Sequence, residues 1–171
     1  IIQTKIAIKE ILDSLINLRD TTIIFTYPNN DEGSDIIIKS IKKFNKAYKN
    51  SYIFKSLGFE NYISLCHHME CVIGNSSSFV IEIPFLNIPS INIGNRQKGR
   101  VMMKNIFSVS GDFSSLKRSI TNILKKKNKN FKSKNEFYKN NTTNKIYAKI
   151  IENIKVKKKN KKFLDINYWN A

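Results

Sequence analysis

The chain is poor in the residues that punctuate and staple a fold: 3 prolines, 6 glycines, 2 cysteines and 1 tryptophan among 171 residues. So few cysteines exclude a small disulfide-held scaffold. So little Pro and Gly excludes a collagen-like repeat or a chain made of linker. No apolar run approaches the roughly 18 residues that a membrane-spanning helix needs, so no such helix is expected. The opening IIQTKIAIKE lacks the basic start, apolar stretch and small-residue cleavage site of a signal peptide, and a cytoplasmic location is expected. A starting Met is absent as well, so a fragment or a trimmed chain is expected. Acidic residues are the other shortage: 13 Asp/Glu face 30 Lys/Arg, a formal net charge of +17.

That charge invites a nucleic-acid reading. Its distribution argues against one. Residues 1–111 hold 13 Lys/Arg and 9 Asp/Glu, whereas residues 112–171 hold 17 and 4. The excess therefore lies in a Lys/Asn-rich tail, KKKNKNFKSKNEFYKNNTTNK and KVKKKNKK, which is read first as a solvated basic surface. Nucleic acid is not expected as a partner. With 41% hydrophobic residues the chain can build a core, and its length suits one ample domain.

Cys66 is expected in a helix and Cys71 at the start of a strand, and two free thiols are the expectation. His67 and His68 follow Cys66 and suggest a metal cluster. Adjacent side chains on a helix diverge by about 100°, so the three cannot converge on one ion, and no metal is expected.

Helical spacing runs from Lys5 to Leu18, with Ile8, Ile11, Leu12, Leu15, Ile16 and Leu18 as its apolar positions. Thr22–Tyr27 is β-branched and aromatic and reads as a strand stopped by Pro28. A second helix is expected from a cap at Ser34 or Asp35 to about Tyr48, then a strand in SYIFKSL and a helix in GFENYISLCHHM. CVIG, PSINIG and Asn105–Val109 read as three further strands, with a short helix in SFVIEI between the first two. Asp112 is placed to cap a helix running to about Lys126, and a last helix is expected from Thr143 to Val156. Short apolar strands alternating with amphipathic helices predict an α/β fold, a Rossmann-like parallel sheet flanked by helices.

In such sheets ligands bind at the carboxyl ends of the strands. CVIG ends at Gly74, and Asn75, Ser76 and Ser77 fill the turn into the next helix. Free N–H groups, serine hydroxyls and a close-approaching Gly suit an anion, although a capping Ser76 would look the same in sequence. Glu82 lies four residues after Ser78 and could share its helix face. A carboxylate suits vicinal ribose hydroxyls. NIGNRQKGR ends the next strand with Arg96, Lys98 and Arg100, and an arginine there can fork onto a diphosphate. Phosphate turn, ribose acid and guanidinium together describe a nucleoside-diphosphate site better than any one part does.

TYPNNDEGS, GNSSSFVIEIPFLNIPSINIGNRQKGR and the Phe59–Cys71 segment resemble the hydrolysing UDP-N-acetylglucosamine 2-epimerase family, which serves sialic-acid-type sugar biosynthesis. The resemblance covers about residues 1–157 and implies the second half of a GT-B two-domain fold, with residues 158–171 as a basic, aromatic tail. It implies that Ser76, Ser77 and Arg96 bind the UDP diphosphate, that Glu82 holds the ribose, and that Leu57 and Phe59 flank the uracil. It also implies that the catalytic acids lie in an N-terminal domain outside this chain. The partners implied are that domain and a UDP-sugar, with no cofactor and no membrane. A homo-oligomer stays open. The family's Gly-rich YG.G segment stands here as YKNNTTNK, a departure in a loop near the ligand. A GT-B glycosyltransferase donor domain is the alternative of the same architecture, and a basic binding module the alternative of another class.

Overall fold

The computed structural model describes residues 2–18, 20–125, 131 and 139–155. They fall into two compact units, Ile1–Asn135 and Glu136–Ala171. The first unit carries helix α1 (Ile2–Leu15), strand β1 (Ile23–Thr26), α2 (Ser34–Ala47), β2 (Ser51–Phe54), α3 (Gly58–His67) and β3 (Val72–Gly74). It continues with α4 (Ser78–Ile81), α5 (Ile83–Leu86), β4 (Ser90–Ile93), β5 (Ile106–Val109) and α6 (Phe113–Leu124). The second unit carries α7 (Thr142–Lys155). The tail 158–171 and most of the Lys/Asn-rich stretch lie outside the described residues.

Every strand pair is parallel, as short β-branched runs joined by helices require. The strands form two groups, β1–β2 and β3–β4–β5. One apolar core joins both groups: Ile23 of β1 and Ile91 of β4 pack with Ile8, Leu12 and Leu15 of α1, Ile41 and Phe44 of α2, and Leu116, Ile120 and Ile123 of α6. The spacing of the α6 trio keeps one face inward. A smaller cluster joins Cys66, Ile83 and Ile88. Leu116, Ile83 and Ile91 are wholly buried, and each contributes about 2 kcal/mol by leaving water.

Several local expectations change. Neither Ser34 nor Asp35 caps α2: its N-cap is Gly33 at φ 85°, and Ser34 N–H donates to the Asp31 carbonyl instead. A left-handed turn there brings the backbone to within 3.2 Å of Thr4, measured from the point where a Cβ would sit, which favours glycine. Ile16 is exposed, because α1 closes at Leu15 and the chain turns away. The SFVIEI helix is two short helices. Pro84 has no N–H to give Val80 and breaks the run at Glu82. Asn87 at φ 55° then ends α5. Asp112 caps α6 as expected, accepting from Ser115 N–H at 2.9 Å. No described helix is long and apolar enough to cross a membrane.

Candidate functional site

The register of β3 and β4 sets Gly74 level with Asn92, so both strands deliver their carboxyl ends to one edge of the sheet. Gly74 leaves the Phe79 ring room close by. A Cβ on it would sit 3.3 Å from the Phe79 ring. The next three residues, Asn75, Ser76 and Ser77, are exposed. Ser76 Oγ accepts from Ser78 N–H at 3.3 Å, a local turn that commits this hydroxyl in part. Ser77 precedes α4 and makes no side-chain capping bond. Because α4 has four residues, little helix dipole stands behind the turn. Any anion held here would rest on hydroxyls and backbone N–H groups, not on helix charge.

Beyond β4, Gly94 at φ 73° starts a tight loop. Lys98 N–H donates to Asn95 and Arg100 N–H to Gln97, two overlapping turns that close at Gly99, φ 85°. Arg96, Lys98 and Arg100 are exposed, and among the described residues none of them enters an ion pair. Gln97 points the other way. It is 2% exposed, and its Nε2 donates to the Asn75 carbonyl at 2.9 Å. One buried amide thus ties the arginine loop to the serine turn. Its Oε1 is buried with no partner.

Glu82 occupies the joint between α4 and α5. It is half-buried, and its Oε2 is buried without a hydrogen-bond partner. A carboxylate oxygen held that way is costly until something donates to it. Glu82 is thus not a fully solvated acid on an open helix face. Beside it stands Tyr62 of α3, whose hydroxyl meets Ser78 Oγ at 3.0 Å. Burial pushes the Tyr62 phenol up to about 12; the neighbouring Cys66 thiol and Glu82 carboxylate push the same way, and the Ser78 hydroxyl pulls back. Tyr62 therefore stays a neutral donor over the physiological range.

The structure brings together Asn75–Ser77 with the Arg96–Arg100 loop, and Ser78 with Tyr62 and Glu82. Leu57 and Phe59 lie at the start of α3, the first half-buried and the second 68% exposed. Among the described residues no hydrogen bond links either of them to the serine turn. Gln97 and Tyr62 escaped the sequence reading. Tyr62 looked like one more apolar position of α3, and Gln97 like a polar loop residue between two charges. An uncharged amide between Arg and Lys in a glycine-bounded loop was the available signal. Cys66 faces the core while His67 and His68 face solvent, the divergence that adjacent helical positions impose. Both cysteines are free; burial raises the Cys66 thiol and lifts Cys71 to about 12.

A family model for UDP-N-acetylglucosamine 2-epimerase matches residues 3–152. The chain is 40% identical over 114 residues to the polysialic acid biosynthesis protein P7 of Escherichia coli, a match that spans 66% of this chain and 29% of that protein. It is 42% identical over 106 residues to a GDP/UDP-N,N'-diacetylbacillosamine 2-epimerase (hydrolyzing) of Campylobacter jejuni, covering 60% of this chain and 27% of that one. The chain thus spans less than a third of the length of these relatives. Its fold superposes on the solved UDP-GlcNAc 2-epimerase of Methanocaldococcus jannaschii with a TM-score of 0.67 at 20% identity, over 88% of this chain and 42% of that one.

Proposed function

The chain belongs to the UDP-N-acetylglucosamine 2-epimerase family, and from that premise we propose that it is the UDP-binding part of a hydrolysing UDP-sugar 2-epimerase. In this reading residues 1–157 are the second half of a GT-B enzyme, and its catalytic acids lie in a domain outside the chain. Ser76 and Ser77 donate to the diphosphate, and Arg96 forks onto it. Glu82 accepts the two ribose hydroxyls, and Leu57 and Phe59 flank the uracil. The complete enzyme eliminates UDP from an N-acetylated UDP-sugar to leave a glycal, then adds water to give the 2-epimer. Diphosphate is the leaving group, so donors and a guanidinium around it stabilise the charge that develops. The ligand is cytoplasmic and the residues named for it call for no metal or cofactor.

One observation carries the reading: the Gln97–Asn75 hydrogen bond at 2.9 Å, which ties the serine turn and the arginine loop across neighbouring strand ends. Two separate anion-friendly loops would be unremarkable. Joined at one sheet edge, with an acid whose oxygen lacks a donor on the α4–α5 joint, they match the parts of a nucleoside diphosphate. Titration calorimetry with UDP, UMP and uridine tests it. Affinity should fall from UDP to UMP to uridine by about tenfold or more per phosphate, about 1.4 kcal/mol each. Equal affinity for all three would remove the diphosphate from the site.

A further inference from the structure

The turn that carries Ser76 and Ser77 has little of its own to hold it. Helix α4, which it enters, has four residues, too few to fix a turn by its own hydrogen bonds. Donors left free to fluctuate must be ordered when a ligand arrives, and that cost comes off the affinity. Whatever steadies this turn has to come from its neighbours. At one end it does: Gln97 of the arginine loop donates to the Asn75 carbonyl.

At the other end stands Ser78, where three hydrogen bonds meet. Its N–H donates to Ser76 Oγ at 3.3 Å. Its carbonyl accepts from Glu82 N–H at 2.9 Å. Its hydroxyl meets the Tyr62 hydroxyl at 3.0 Å. The first bond leads to a serine assigned to the diphosphate, the second to the acid assigned to the ribose. Only the third leaves the segment, reaching α3 across 16 positions of the chain.

Tyr62 has the anchorage of a fixed post. Helix α3 packs on α5, and the Tyr62 ring is partly buried against Cys66, Ile83 and Ile88. Packing therefore sets the ring, and only the O–H is left to rotate. A phenol is more acidic than an aliphatic hydroxyl and is the better donor of the two. Burial keeps that proton on Tyr62 throughout the neutral range. With the Tyr62 proton on Ser78 Oγ, Ser78 keeps its own proton to give elsewhere.

We infer that Tyr62 is a positioning residue of the candidate site: by donating to Ser78 Oγ it fixes the serine turn against α3, and it frees the Ser78 hydroxyl to donate, beside Ser76 and Ser77, to an anion held at the turn. Gln97 and Tyr62 then clamp the turn at its two ends, Asn75 and Ser78. This role rests on the diphosphate reading of the turn and adds to it a third hydroxyl and the side chain that aims it.

Calorimetry of the 171-residue chain with UDP and with uridine tests the role. Tyr62→Phe keeps the ring in its cluster and loses the hydroxyl alone. Its UDP affinity should fall by about tenfold, while its affinity for uridine, which has no phosphate, should change by less than about twofold. Ser78→Ala breaks the same link from the half-exposed side and should give the same pattern; it carries the test if Tyr62→Phe does not fold. The two changes together should cost no more than either alone. A Tyr62 that only supported the fold would, on losing its hydroxyl, weaken both ligands alike. An unchanged ratio of UDP to uridine affinity in the variants, or losses that add, would overturn the positioning role and leave the diphosphate reading standing. Equal affinity of the unaltered chain for UDP and uridine would overturn both.

Discussion

Glu82 tests the site at the scale of one residue, because its two readings predict different numbers. If its buried Oε2 awaits a ribose hydroxyl, Glu82→Gln keeps one acceptor and presents an NH₂ to the other hydroxyl. About 1.5–3 kcal/mol of UDP binding should go, roughly ten- to a hundredfold in affinity. The loss should largely vanish with the 2′,3′-dideoxy analogue, which has no hydroxyls to present. Calorimetry of both proteins with both ligands closes a double-mutant cycle, and a coupling energy near zero would take Glu82 out of the site. Arg96→Lys keeps the charge and loses the fork; it should cost the complete enzyme about 2 kcal/mol in kcat/KM. An unchanged kcat/KM would move that role to Lys98 or Arg100. Tyr62 gives a spectroscopic check. Its phenol is raised to about 12, so the native state keeps a proton that the unfolded chain sheds near 10. Stability should therefore fall as pH rises from about 10 to 12. Tyr62→Phe should flatten that limb and remove the last step of the absorbance titration at 295 nm.

At the scale of elements, the serine turn and the arginine loop are one unit because of Gln97. Gln97→Ala removes the donor to Asn75 and leaves that carbonyl unmet, at a cost of about 1–3 kcal/mol. It should also weaken UDP binding although Gln97 is buried under the loop and not on its surface. Gln97→Glu, which puts a second acceptor against the carbonyl, should be worse. Equal UDP affinity in both variants would uncouple the loops. The N-cap of α6 is the other element whose stability hangs on one side chain. The Ser110 hydroxyl and the Ser115 N–H hold Asp112 well below the usual carboxylate range. A depressed native pKa means that the cap helps above the ordinary Asp range and that its help is lost as pH falls below it. Asp112→Ala should lower the thermal midpoint at neutral pH, and Asp112→Asn should recover most of it. These same elements show what the sequence could reveal. The Asp112 cap was legible, since an acid three residues before the first-turn N–H it serves is a local signal. So were the helices with inward rows such as Leu116 and Ile120. The break at Glu82 was not, because the helix expected in SFVIEI stops just short of Pro84, whose missing N–H splits the run. Gln97 was beyond reach, because its bond to Asn75 spans 22 positions that only the parallel pairing of β3 and β4 brings together.

For the whole molecule the decisive quantity is how much of the cleft the chain supplies. It spans 29% of the E. coli relative and 27% of the C. jejuni one, and the function proposed above puts the catalytic acids in a domain outside it. On that proposal the acids act on the sugar while the diphosphate is held from the other side. A chain that supplies the diphosphate side alone can bind the leaving group but cannot move the proton at the sugar. The purified 171-residue chain should therefore bind UDP weakly and release none from UDP-N-acetylglucosamine. Adding the rest of the protein as a separately folded piece should restore turnover, with a rate that rises with the concentration of that piece until the two are saturated. The check is a coupled assay for free UDP on each piece alone and on the mixture. UDP release by the 171-residue chain alone would place a catalytic group within it, and the half-buried cluster of Tyr62, Ser78 and Glu82 would be the first place to look.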